Sequence, residues 1–104
     1  MQRVAFKMKL KPGVVAEYEK RHDEIWPELA AELKAAGVAD YSIFLDEETL
    51  TLFAVQKLSV VNTAAKLPDS PIVRKWWRYM APLMETQPDD SPVASPLREV
   101  FHLD

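Results

Sequence analysis

Along this chain, segments with an apolar residue at every second position alternate with segments in which apolar residues recur every three or four positions. This succession of strand-type and helix-type segments is the feature that most constrains the fold. In residues 3–10 apolar side chains alternate with mostly basic ones, which is typical of a half-buried β-strand. From Val14 the spacing becomes three and four, as one face of a helix requires. Pro27 lies inside that pattern and predicts a kink, or a break after which it begins a second short helix. Gly37 suits the left-handed residue that ends this region.

The middle of the chain predicts a β-hairpin followed by a second helical region. Residues 40–46 and 49–58 are rich in β-branched and aromatic side chains and are joined by polar residues, which is typical of two antiparallel strands. Helical spacing then indicates helices over residues 60–67 and 71–85, separated by the breaker "PDSP".

The end of the chain completes the predicted fold. Residues 86–96 form a proline-rich loop, and residues 97–103 predict a final strand. The order strand, helix, strand, strand, helix, strand predicts an α+β fold of the ferredoxin-like split βαβ type, in one domain over residues 1–104. Its antiparallel sheet would carry the helices on one face. A homodimer of the dimeric α/β-barrel type, with two sheets packed face to face, would cover the other.

Composition narrows the possible chemistry. The 104 residues include no cysteine and only two glycines, so thiol nucleophiles, cysteine-ligated zinc and glycine-rich phosphate loops are excluded and we expect no cofactor. Basic residues are interspersed with acidic ones at a net charge of -3, so we expect no nucleic-acid partner. Apolar runs are too short to span a bilayer, and the first ten residues lack the apolar block of a signal peptide. We therefore expect a cytoplasmic protein without a membrane partner.

A histidine and two tyrosines are candidate site residues. Tyr18 and His22 are four residues apart, which places their Cβ atoms about 6 Å apart on one helix face. An imidazole donates and accepts protons near neutral pH, so the pair could serve proton transfer, although plain packing in the core is the alternative. Tyr41 alternates with Ile43 and Leu45 and should point inward, toward the core or a pocket.

The tandem tryptophans in "RKWWRYM" are the other candidates. Adjacent helix positions differ in direction by about 100°, so Trp76 and Trp77 cannot face one point of the core. One can pack while the other walls a pocket, where an indole suits a sugar ring through its apolar face and its N–H donor. The alternative is a large core anchor with Trp77 at a subunit interface.

Metal binding is not indicated. His22 has aromatic residues at both positions four residues away, and His102 is the only other imidazole, so we expect no metal site. The acidic residues of the first helix predict a solvated face supported by pairs such as Glu17 with Arg21.

Read together, "YEKRHDEIWPEL", "DYSIFLD", "LFAV", "WWRYM", "DDSPV" and "EVFHL" resemble the L-rhamnose mutarotase family along nearly the whole chain. The resemblance implies a homodimeric, cofactor-free, cytoplasmic isomerase of the ferredoxin-like fold that interconverts the α and β anomers of L-rhamnose. It assigns the proton donor to His22 and the sugar contacts to Tyr18, Tyr41, Trp76 and Trp77.

Such a reaction needs one group to take the proton of the anomeric hydroxyl and another to protonate the ring oxygen. We predict His22 as the acid at the ring oxygen, with the base open among Tyr18, Tyr41, a carboxylate and a bound water. His102 stands where the family leads us to expect a tyrosine, and we assign it no role. Two other functions remain open on the residues alone. One is a small ferredoxin-like monooxygenase of aromatic or haem substrates, and the other is a non-catalytic dimeric module that binds a small molecule.

Overall fold

Four strands form one antiparallel sheet, with the helices packed on one of its sides. The computed structural model describes residues 1–104. The regular elements in chain order are β1 (Gln2–Lys9), α1 (Val15–Asp23), α2 (Pro27–Ala35), β2 (Val38–Asp46), β3 (Thr51–Leu58), a 3₁₀ helix (Ala64–Asp69), α3 (Pro71–Met80), a second 3₁₀ helix (Ala81–Leu83) and β4 (Ser95–Leu97). No helix is both long enough and apolar enough to cross a membrane.

The strand order in the sheet is β2-β3-β1-β4, and every neighbouring pair is antiparallel. The two central strands, β1 and β3, pair over their full length, from Gln2 opposite Leu58 to Lys9 opposite Thr51. This order, with α1 and α2 between the first two strands and α3 between the last two, is the ferredoxin-like arrangement that the sequence predicts.

The first helical region breaks where the proline predicts. The helix α1 ends at Asp23, Trp26 has extended backbone with ψ 130°, and Pro27 is the first residue of α2. Because proline needs no hydrogen-bond partner for its nitrogen at this position, it begins a helix without cost. Gly37 follows α2 with φ +92°, the left-handed geometry that the sequence predicts there.

The second helical region is shorter than predicted. Residues 60–63 are not helical, and residues 64–69 form a 3₁₀ helix instead of the α-helix expected over 60–67. The Asn62 side chain explains this, because it bonds both the Ser59 carbonyl and the Ala64 N–H and so stabilises a turn. The helix α3 ends at Met80, not at residue 85, since Pro82 has no N–H to continue it.

The last strand is also shorter than predicted, and the predicted strand is wrong beyond Leu97. Only Ser95–Leu97 pair with β1, with Leu97 opposite Ala5. Further along, the contact with β1 passes through side chains: Arg3 Nη1 lies 2.7 Å from His102 Nδ1. Beyond Leu97 the alternation of residues 98–103 therefore corresponds to no regular element.

The core lies between the helices and the inner face of the sheet. It is formed by buried side chains from β1, α1, α2, β3 and the region around α3, among them Leu10, Leu29, Leu52 and Met80. On the opposite face Phe44 is 63% exposed, although it sits beside Phe53 in the register. One sheet face thus holds the core. The other is uncovered and carries Phe44 and Phe53 together with the basic side chains of β1.

Candidate active site

A pocket of about 1150 Å³ opens between the helices and the inner face of the sheet, and apolar side chains form most of its lining. The five residues singled out in the sequence all line it: Tyr18, His22, Tyr41, Trp76 and Trp77. They come from α1, β2 and α3, so the fold brings together side chains that are far apart in the chain.

His22 occupies the last turn of α1, and the helix itself orients its ring. Nδ1 lies 3.0 Å from the carbonyl oxygen of Tyr18, one turn earlier. A carbonyl only accepts, so Nδ1 carries the hydrogen and donates it. In the neutral ring the lone pair is then on Nε2, which makes no hydrogen bond to the protein. The site therefore offers a free imidazole nitrogen to the pocket.

Burial sets the protonation state of this ring. It lowers the pKa of His22 below the ordinary 6.5, while the hydrogen bond to the Tyr18 carbonyl and the charge of Asp23 oppose that shift. At neutral pH the imidazole is thus mainly uncharged, and Nε2 is a proton acceptor.

Tyr18 stacks on the imidazole and directs its hydroxyl into the pocket. The two ring centroids are 4.4 Å apart. The side chain is buried, yet its hydroxyl bonds no protein group, and no fully buried polar side-chain atom lacks a partner. The hydroxyl must therefore reach the open space of the pocket. Burial, with a smaller contribution from Tyr41, raises the pKa of the Tyr18 phenol well above its ordinary value.

Tyr41 reaches the pocket because of a β-bulge. The register between β2 and β3 shifts between Ala39 and Ser42, and Asp40 has φ +48°. Side chains alternate across a strand, so the extra residue changes which of them face inward, from Val38 before the bulge to Tyr41 after it. Although Tyr41 is 39% exposed, desolvation of its hydroxyl within the pocket raises the pKa to about 12, so it too stays protonated near neutral pH and keeps an O–H to donate.

The tryptophans of α3 form a wall beside the imidazole. Trp76 meets His22 edge to face at 5.4 Å, and Trp77 packs against the core while lining the same pocket. Trp26 contacts Trp76 edge to face at 5.0 Å from behind, and Tyr79 contacts both at 5.3 and 5.7 Å. Trp26 and Tyr79 were not among the site residues predicted from the sequence, although each lies three or four residues from a candidate.

The pocket also contains carboxylates that sequence analysis did not single out, and they belong to Glu19, Asp23, Asp40 and Asp90. Asp90, like Asp40, has a positive φ, here 70°, a conformation that aspartate tolerates better than most residues. No three histidine or carboxylate side chains approach closely enough to hold a metal ion.

Fold and pocket together define a class: a small α+β protein whose site can move a proton beside an aromatic wall. Comparison with known proteins identifies one family within this class. The sequence profile of the L-rhamnose mutarotase family matches residues 3–103. The L-rhamnose mutarotase of Bacteroides thetaiotaomicron is 59% identical over the whole of both chains. That of Mesorhizobium japonicum is 57% identical over 98% of this chain and 97% of its own.

Solved structures of two other proteins are similar to this one. The crystal structure of an L-rhamnose mutarotase from Formosa agariphila superposes over the whole of both chains with a TM-score of 0.94 at 52% identity. A conserved protein from Methanosarcina mazei shares the fold alone, with a TM-score of 0.62 at 16% identity over 93% of this chain and 90% of its own. This chain belongs to the L-rhamnose mutarotase family.

Proposed function

We propose that this chain interconverts the α and β anomers of L-rhamnose by opening and closing the sugar ring, with His22 carrying the proton. The function follows from membership of the family. The observation that carries the mechanism is a neutral imidazole with Nε2 free, in a pocket that two protonated phenols also line.

Ring opening begins with His22 as the base. Nε2 takes the proton from the anomeric hydroxyl, the C1–O1 bond becomes a carbonyl, and the bond from C1 to the ring oxygen breaks. The hydroxyls of Tyr18 and Tyr41 donate hydrogen bonds to the sugar oxygens, where negative charge develops. The imidazolium then gives its proton to the former ring oxygen. In this proposal His22 is therefore the acid predicted from the sequence and also the base, in place of a separate second group.

Ring closure repeats these steps in reverse. Rotation about the C1–C2 bond presents the other face of the aldehyde, and the same imidazole removes the hydroxyl proton and returns it to O1. Of the bases left open by the sequence, the two tyrosines are disfavoured because their raised pKa values keep them protonated at neutral pH. The indoles of Trp76 and Trp77 provide apolar faces for the C–H patches and the methyl group of the sugar.

Anomer exchange tests the proposal directly. Saturation-transfer NMR on L-rhamnose should show exchange accelerated by the wild-type chain. His22→Ala should reduce the enzymatic rate by about 10²–10⁴-fold, the usual contribution of a positioned acid or base. His102→Ala is the matched control, because it removes the only other imidazole from an exposed position, and it should leave the rate unchanged.

Wild-type exchange in His22→Ala would contradict the role of His22. Sugar binding in calorimetry without any accelerated exchange by the wild-type chain would instead indicate a binding module.

We also propose that the protein acts as a homodimer in the cytoplasm. The uncovered sheet face supports the dimer, because Phe44 is paired in the register with Phe53 and Val55 lies two residues further along β3 on the same face. A second copy of this face is the natural cover for it. In analytical ultracentrifugation the wild-type chain should sediment with twice the mass of the 11.9 kDa chain. Phe44→Glu should sediment as a monomer, and a wild-type monomer would refute the dimer.

A further inference from the structure

One side chain joins the helix that carries His22 to the helix that carries Trp76. Arg21, the neighbour of His22 in α1, donates from Nη1 to the carbonyl oxygen of Tyr79 at 2.6 Å. Its guanidinium carbon lies 4.1 Å from the centroid of the Tyr79 ring. Its Nε donates to Glu17 at 2.8 Å, one turn earlier in α1. Three contacts therefore fix the guanidinium, and only 19% of the side chain is exposed.

The chemistry of these contacts favours arginine. The carbonyl of Tyr79 lies in the last turn of α3, where carbonyls lack a partner within the helix and where a cation is favoured by the helix dipole. A planar guanidinium can donate along two directions while stacking on an aromatic ring, and an ammonium cannot.

Apart from Arg21, the end of α1 is held by the ring of His22 against Trp76 and by Trp26, which follows the helix and contacts both Trp76 and Tyr79. Tyr18 is its only buried residue, and α1 does not pack extensively along any other helix or strand. By contrast, α2 packs against both α3 and β2. The position of the last turn of α1, and of the imidazole within it, depends on a few side chains.

We propose that Arg21 is a positioning residue for the reaction, since its contacts with Tyr79 keep the His22 ring against the edge of Trp76. Each residue of this pair lies beside a residue of the site. Arg21 directly precedes His22, and Tyr79 follows Trp76 by three residues, on the same side of α3. The proposal rests on the proposed function, in which the imidazole must meet a sugar seated against the tryptophan wall.

Two substitutions at this position and one elsewhere test it. Arg21→Met keeps much of the apolar stem and removes the guanidinium. Arg21→Lys keeps the positive charge but replaces the planar guanidinium with a compact ammonium group. Arg74→Met is the matched control, because Arg74 also bonds a carbonyl from its guanidinium, that of Pro68 at 2.9 Å, but does not line the pocket. Circular dichroism establishes that each variant folds, and Arg21→Lys takes the place of Arg21→Met in every measurement if the latter does not.

Kinetics gives the first readout. Arg21→Met should lower kcat for anomer exchange by about ten- to a hundredfold, the scale of a misplaced catalytic group, while KM changes little. Arg21→Lys should recover part of this loss, and Arg74→Met should match the wild-type chain. Wild-type kcat in Arg21→Met would overturn the proposal.

NMR gives the second readout, which does not depend on activity. The chain has only two histidines, so the imidazole signals are simple to assign, and those of His102 serve as an internal reference. A nuclear Overhauser effect should join the imidazole protons of His22 to the indole protons of Trp76. It should weaken in Arg21→Met and persist in Arg74→Met.

An unchanged effect in Arg21→Met would overturn the positioning role even if kcat fell. If the wild-type chain does not accelerate anomer exchange, the proposed function fails. The Overhauser comparison alone then decides whether Arg21 holds the imidazole in place.

Discussion

Replacing Gly37 by alanine should destabilise the protein through two separable effects. The residue follows α2 with φ +92°, a backbone conformation that an L side chain rarely adopts. A Cβ built there would clash with the Ser59 hydroxyl oxygen and lie 2.8 Å from Cβ of Asn62. The Asn62 backbone is also close, with Cα at 3.3 Å, so rotation of the serine hydroxyl alone does not relieve the crowding.

Gly13 supplies a matched control. It has a similar φ of +80°, but a Cβ built there would meet nothing within 4 Å. Alanine in left-handed backbone costs about 1–2 kcal/mol, and the loss of freedom in the unfolded chain offsets about 0.4–1 kcal/mol of this. Gly13→Ala should therefore lose about 1 kcal/mol. Gly37→Ala should lose about 1–3 kcal/mol more, the usual cost of overpacking.

Urea or thermal unfolding of the two variants at equal protein concentration measures the difference. A gap of about 2 kcal/mol between them corresponds to roughly 8–16 °C in Tm for a chain of this size. Equal losses in the two variants would show that the contacts with Ser59 and Asn62 relax without cost, which would refute the reasoning.

Three further predictions concern the pocket. Anomer exchange should rise with pH as His22 loses its proton, with a midpoint below 6.5 because burial lowers its pKa. By linkage, its contribution to folding stability is fully present above about pH 6.5, the unfolded value, and is lost as pH falls through the lower folded value. A kinetic midpoint above 6.5 would contradict this. Tyr18→Phe should change the free energy of unfolding by less than about 0.5 kcal/mol, since the hydroxyl bonds no protein group. It should lower kcat/KM about tenfold through one lost hydrogen bond, and an unchanged rate would exclude contact with the sugar. Asp40→Gly should keep the bulge and the activity, whereas Asp40→Val should lose activity as a β-branched residue resists φ +48° and Tyr41 turns outward. Equal rates in these two variants would count against the bulge.

Features governed by local chemistry could be predicted from the sequence. Pro27 begins α2 and Gly37 ends that region because each residue restricts or frees its own backbone, whatever surrounds it. Tyr18 and His22 meet because four residues make one helical turn. Tyr41 lines the pocket as its alternation with Ile43 and Leu45 predicts, although it lies within the register shift between Ala39 and Ser42.

Features governed by contacts between distant residues could not be predicted from the sequence. The alternation in residues 97–103 describes a strand equally well with or without a neighbour to bond, and β4 stops at Leu97. The edge-to-face contact of Trp26 with Trp76, and the contact of Arg21 with Tyr79, join residues about fifty or more positions apart. Periodicity contains no information about such pairs, because it reports one face of one element at a time.

The edge-to-face contact of Trp26 with Trp76 has a practical consequence. Two indoles held at 5.0 Å and 86° couple their strong far-ultraviolet transitions, so the native chain should have a paired band of opposite signs in far-ultraviolet circular dichroism. This far-ultraviolet band would report, without any sugar, the moment during refolding at which the segment before α2 closes against α3.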